Sequence, residues 1–125
     1  MTINRSPAFQ FYPGEYLSEN KVLRMSDAAQ GRYMRILCHM WMGSKDQCSI
    51  ENDDKSIAKT LGLTNSVWLK TREEIQRKND PILIEKNGLL ISKRLRKEAK
   101  KQRKFRRMQS KKGQRSAETR GYKHE

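Results

Sequence analysis

Apolar positions along the chain follow two rhythms, and the change from one to the other outlines a fold. Ala29, Tyr33, Ile36, Leu37, Met40 and Trp41 recur at three- and four-residue steps, the spacing of one broad buried helix face. Ser26 stands where a cap belongs, Asp27 sets an acid in the first turn, and Gly43 ends the run. "NDDKSIAKTLGL" opens on Asn52 as its expected cap and turns Ile57, Ala58 and Leu61 inward, with Gly62 suited to the left-handed position that stops a helix. Thr64 or Asn65 caps the next helix, "SVWLKTREEIQRKN", where Trp68, Thr71 or Arg72, and Ile75 share a face. Two helices joined by about three residues that include a glycine form a helix-turn-helix.

The period then shortens. In "PILIEKNGLLISK", Ile82 and Ile84 alternate with Leu83 and Glu85, Asn87-Gly88 supplies a type I′ turn, and Leu89 to Ile91 return. "QCSI" is long enough for one small strand. A helix-turn-helix followed by a hairpin predicts a winged helix: mainly α with a small β-hairpin. Ahead of it, "PAFQFYPGEYLSENKVLRM" reads as an extended arm, a turn at Pro13-Gly14 and a helical turn near Glu15 to Asn20. Its aromatics Phe9, Phe11, Tyr12 and Tyr16 are expected to pack on the domain, the alternative being stacking on bases.

From Lys93 the pattern thins. Leu95, Ala99, Gln102 and Phe105 make a narrow stripe in a segment of good helix formers, which predicts a basic helix to about Lys112 followed by a disordered end, "SAETRGYKHE". Like charges four apart, Lys97 with Lys101 and Lys100 with Lys104, each cost a few tenths of a kcal/mol, roughly. The expected division is therefore a winged-helix domain over 1–92 with its aromatic arm, and a C-terminal basic helical extension over 93–125.

Charge sharpens that division. Residues 93–125 carry fifteen Lys and Arg against three acids, a net of +12, whereas residues 1–92 carry thirteen against eleven, a net of +2. Thirteen of those cations fall between Lys93 and Arg115 beside one acid, Glu98. A near-neutral body with a cationic extension is the pattern of a polyanion binder. No apolar run approaches the roughly 18 residues that span a bilayer. The start lacks a signal-peptide core, and Leu95, Phe105 and Met108 are too few for an interfacial anchor, so no membrane role is expected.

Candidate chemistry adds little beyond charge. Cys38 and Cys48 lie ten apart without a CxxC pair and read as reduced thiols, Cys38 as a buried one in the helical pattern. A zinc set from Cys38, His39, Cys48 and His124 fits poorly, since adjacent helical residues point about 100° apart. There is no P-loop, no Gly-rich dinucleotide turn and no nucleophile placed beside a histidine. The chain is not expected to be an enzyme, to use a cofactor or small-molecule substrate, or to hold a metal.

"PAFQFYPGEYLS", "GRYMRILCHMW", "IAKTLGL", Trp68 and "NGLLISKRL" before a Lys/Arg-rich tail resemble the YdaU-like family of prophage proteins, over about Pro7 to Arg115. The resemblance implies a winged-helix module encoded in a phage replication region, related in role to replication initiators and helicase-loading proteins. It also implies a bacterial host cytoplasm. Family tails usually carry a glycine-rich basic motif, of which only "SKKGQRS" stands here.

The residues expected to meet phosphates are Lys93, Arg94, Arg96, Lys97, Lys100, Lys101, Arg103, Lys104, Arg106, Arg107, Lys111, Lys112 and Arg115. A candidate recognition helix and wing offer Asn65, Ser66, Lys70 and Arg77 with Lys86 and Asn87, although Glu73 and Glu74 oppose phosphate there. The expected function is a nucleic-acid-binding accessory of phage or mobile-element DNA replication, with DNA preferred over RNA, linking DNA to an initiator or helicase. Two alternatives stand beside it: a sequence-specific transcriptional regulator, and an adaptor whose basic helix clamps an acidic protein.

Overall fold

The computed structural model describes residues 6–124, with side chains to residue 111. Among the described residues, six helices and two small antiparallel sheets follow one another. They are α1 (Pro13–Ser18), α2 (Asn20–Leu23), α3 (Asp27–Gly43), β1 (Ser49–Glu51), α4 (Asp54–Leu61) and α5 (Asn65–Ile75), then β2 (Gln76–Arg77), β3 (Asp80–Pro81), β4 (Ile84–Lys86), β5 (Leu89–Ile91) and α6 (Lys93–His124). The protein is mainly helical.

Local chemistry accounts for most of the boundaries. Ser26 Oγ accepts from Ala29 N at the start of α3, and Thr64 Oγ1 accepts from Val67 N at the start of α5. Gly62, at φ 70°, closes α4 in the left-handed conformation. Asn87 and Gly88, at φ 53° and 75°, give the expected turn between β4 and β5. The cap of α4 is Asp53 rather than Asn52: its carboxylate accepts from Ser56 N. Asn52 instead donates its backbone N–H to Gly88 O and accepts from Arg72 through its side chain, so it ties the strand ends to α5 rather than capping α4.

β5 is the middle strand of a three-stranded sheet, order β1-β5-β4, with Ser49 opposite Ile91 and Ile84 opposite Ile91 on its two sides. The "QCSI" region thus supplies an edge strand to the hairpin. Against this sheet and among α3, α4 and α5 lies one core, in which Trp41, Trp68, Ile36, Leu37, Ile75, Leu83 and Leu90 are buried. Leu95 and Ala99, from the first turns of α6, belong to it as well.

Three expectations need correction. Pro13 does not begin a turn; it occupies the first position of α1, where its fixed φ suits a helix and its missing N–H costs nothing. The helix expected through Asn79 stops at Ile75, because the Gln76 side chain pairs twice with the backbone of Leu83 and draws the chain into β2. Cys38 is exposed and Cys48 is buried. The inward positions of α3 are 29, 33, 36, 37, 40 and 41, and position 38 lies about 200° round the helix from 36.

Candidate functional site

The basic segment is one helix, α6, whose root is fixed by the sheet. Ser92, at the end of β5, donates its N–H to Cys48 O, and its hydroxyl accepts from Leu95 N. The helix therefore leaves the body in a set direction. Leu95 and Ala99 sit in the core, Glu98 is 5% exposed, and Gln102 is half-buried. Around the other side of the same turns, Lys93, Arg96, Lys97, Lys100 and Lys101 are exposed.

Glu98, the lone acid between Lys93 and Arg115, is the point at which the N-terminal arm grips the helix. Its carboxylate accepts from Gln10 N at 3.1 Å, from Tyr12 Oη at 2.8 Å and from Gln102 Nε2 at 2.8 Å. Burial alone would raise its pKa. The hydrogen bonds from Gln102, Tyr12 and Gln10, with the charge of Lys101, outweigh burial and hold it below the ordinary glutamate value. Lys101 also lies 5.1 Å from the centre of the Tyr12 ring. The arm is anchored at its far end too, where Trp41 Nε1 and Gln47 Nε2 both donate to Ser6 O and Phe9 packs on Trp41. The aromatics of the arm do mostly pack on the domain; Phe11 is the exception, at 48% exposure.

Past Gln102 the helix leaves the core. Arg103, Lys104, Arg107 and Lys111 are exposed and Arg106 is half-buried, while Phe105 and Met108 are 61% and 50% exposed. The side chains of Lys112 and Arg115 lie outside the described ones; the helix, expected to give way to a disordered end after about Lys112, instead runs to His124. Among the described residues the ion pairs lie in the body: Lys21 and Arg24 with Asp80, and Arg72 with Asp54 and Glu85. None draws on a described cation of α6.

The candidate recognition surface is less uniform. Asn65, Ser66 and Lys70 are exposed on α5, and Lys86 and Asn87 are exposed at the β4–β5 turn. Arg77 is not on the helix at all; it falls in β2. Arg72 turns inward to Asp54, Glu85 and Asn52, which leaves Lys70 as the cation on the open face of α5. Val67 and Leu69 share that exposure, at 36% and 46%, and Glu73 is exposed beside them. Glu74 is committed elsewhere, accepting from both Ser26 N and Ser26 Oγ.

A cleft of about 450 Å³ opens between α1–α2 and the root of α6, lined in part by Tyr12, Tyr16, Tyr33, Lys93, Arg94 and Lys97. The sequence pattern gave no sign of it, because its walls come from segments some 60 to 90 positions apart. The Glu98 clasp was also missed, although one acid in a run of cations was a visible signal. His39 and Cys38 are exposed on α3, His124 lies outside the described side chains, and no group of three or more potential metal ligands occurs among the described residues. Nor is any helix among them long and apolar enough to cross a membrane.

Set against known proteins, the chain matches no family model, no curated protein and no solved structure.

Proposed function

We propose that this protein is a winged-helix, nucleic-acid-binding accessory of phage or mobile-element DNA replication, acting in the bacterial cytoplasm. The order α3, β1, α4, α5, β4, β5, with β5 central in the sheet, supports the winged-helix reading. So does the three-residue link from Gly62 to Thr64 between α4 and α5. In this reading α6 grips DNA and the folded part docks a replication initiator or helicase.

The observation that carries the reading is the row of exposed cations along α6, none of which is in an ion pair among the described residues. Each cation that displaces a condensed counterion adds affinity and salt sensitivity. Five to eight such contacts on a duplex give a slope of log K against log salt of about −4.5 to −7. The open face of α5, with two apolar residues, one cation and one acid, suits a protein surface better than phosphate. That mixture favours partner docking over operator reading, and it makes the transcriptional regulator the weaker alternative.

The test replaces Arg103, Lys104, Arg107 and Lys111 together by Gln. These side chains are exposed, so the body should fold unchanged. DNA affinity at low salt should fall, and the salt slope should flatten by up to about 3.6, at about 0.9 per lost contact. An unchanged affinity and slope would remove the reading. Capture of an acidic protein by the parent chain, with no affinity for DNA, would favour the adaptor instead.

A further inference from the structure

Arg94 lines the cleft at the root of α6, and one of its nitrogens, Nη2, is buried without a hydrogen-bond partner. Its guanidinium lies 5.7 Å from the centre of the Phe11 ring, a contact that satisfies the face of the group and not its N–H bonds. Buried donors left unmade are costly and rare in native proteins, so this one calls for an acceptor.

A second donor stands in the same cleft. Tyr33 is 2% exposed overall and contributes to the lining. Burial pushes its hydroxyl up to about 12, against the opposing charge of Arg94, so it keeps its proton and can donate at any physiological pH. Lys93 and Lys97 stand exposed on the α6 side, and cations outnumber acids in the lining by five to three. Of the three acids, Glu98 is saturated by its own donors and Glu19 accepts from Lys21 N. Glu15 and Glu19, on the α1–α2 wall, keep their charge and repel an anion, which directs it toward Lys93, Arg94 and Lys97 on α6.

We propose that this cleft receives a phosphate monoester, with Arg94 and Tyr33 donating to its oxygens and Lys97 supplying charge at the α6 side. An end group is favoured over a continuous backbone, because a recess of about 450 Å³ holds a terminal phosphate and the ring attached to it. Tyr12 and Tyr16 offer aromatic walls for that ring. The group can come from the 5′ end of a nucleic-acid strand or from a free nucleotide. The proposal deepens the nucleic-acid reading but rests on the cleft rather than on the outer turns of α6.

The experiment titrates the full-length protein with adenosine 5′-monophosphate at constant ionic strength and follows amide and tyrosine NMR signals. Saturable shifts are expected at Tyr12, Tyr33 and Arg94, with none from adenosine. Tyr33→Phe, which keeps the buried ring, should weaken binding about tenfold, the size expected for one hydrogen bond to a charged group. Arg94→Met should abolish it, and Lys59→Gln, an exposed charge change on α4, should leave it unchanged. A 5′-phosphorylated oligonucleotide that outcompetes its 5′-hydroxyl twin identifies the strand end as the source; equal competition alongside nucleotide binding identifies the free nucleotide. The proposal is overturned if neither the nucleotide nor the 5′-phosphate is preferred. Equal shifts from adenosine, undiminished affinity in Tyr33→Phe, or an equal loss in Lys59→Gln would overturn it too. Failure here with an intact salt-dependent DNA affinity would leave the proposed function standing.

Discussion

The two parts of α6 are alike in composition and opposite in circumstance. From Lys93 to Gln102 the helix is cationic, yet it buries Leu95 and Ala99 in the core and offers Glu98 to the N-terminal arm. From Arg103 to Lys111 it is equally cationic, and its apolar residues, Phe105 and Met108, are exposed. A high density of Lys and Arg thus does not decide whether a segment joins the body. One leucine, one alanine and one acid at the right spacing do.

That contrast can be broken by mutation, and the largest effect belongs to the inner part. Leu95→Ala should cost about 2–5 kcal/mol by leaving a cavity in the core. Phe105→Ala, one helix face further out, should stay within about 0.5 kcal/mol. Urea unfolding of the two variants measures both, and similar losses would mean that the outer turns are packed after all.

Next comes the clasp. Glu98→Gln replaces an acceptor oxygen by a donor facing donors and should cost about 1–3 kcal/mol. It should also speed amide exchange at Gln10, whose N–H donates to that carboxylate, and it removes the acceptor of the Tyr12 hydroxyl. Acid should act in the same direction. The folded-state pKa of Glu98 is depressed below the ordinary 4.5, so the native state binds fewer protons than the unfolded chain in that range. The contribution is complete above the ordinary value and is lost as pH falls through the depressed one. Loosening of the arm on acidification in the parent chain, and a weaker pH dependence in Glu98→Gln, would bear this out.

The smallest effect is expected on α5. Lys70→Gln should change the DNA salt slope by well under the 0.9 or so of one full phosphate contact, since it stands alone among apolar and acidic neighbours. A larger change would bring α5 into the DNA interface and revive the operator-reading alternative.

Much of the body was legible because its signals are local. Ser26 and Thr64 as caps, Gly62 as a stop, and Asn87-Gly88 as a turn each depend on a few adjacent residues. The six inward positions of α3 follow from its period. What was not legible depends on partners far along the chain. β1 finds β5 some 40 residues away, Gln76 is captured by Leu83, and Arg72 is drawn between Asp54 and Glu85. Arg77 was misassigned to the recognition helix for that reason, since the helix ends where the Gln76 pairing begins. Of the candidate site, the cationic run was plain in the sequence. Its division at Gln102, and the cleft at its root, required the arm to be in place.

Those nonlocal contacts also set where the chain should not be cut. Removing everything after Ser92 would take Leu95 and Ala99 from the core along with the cations. A chain ending at Gln102 keeps the clasp and both core residues, and it separates binding from stability.

The most direct test of the division is residue-by-residue amide hydrogen exchange along α6, in the free protein and with saturating duplex DNA at low salt. Slow exchange from Leu95 to Gln102 in both states is predicted, with rapid exchange from Arg103 to Lys111 that slows only when DNA is present. Uniform protection of the whole segment in the free protein, or outer turns indifferent to DNA, would contradict it.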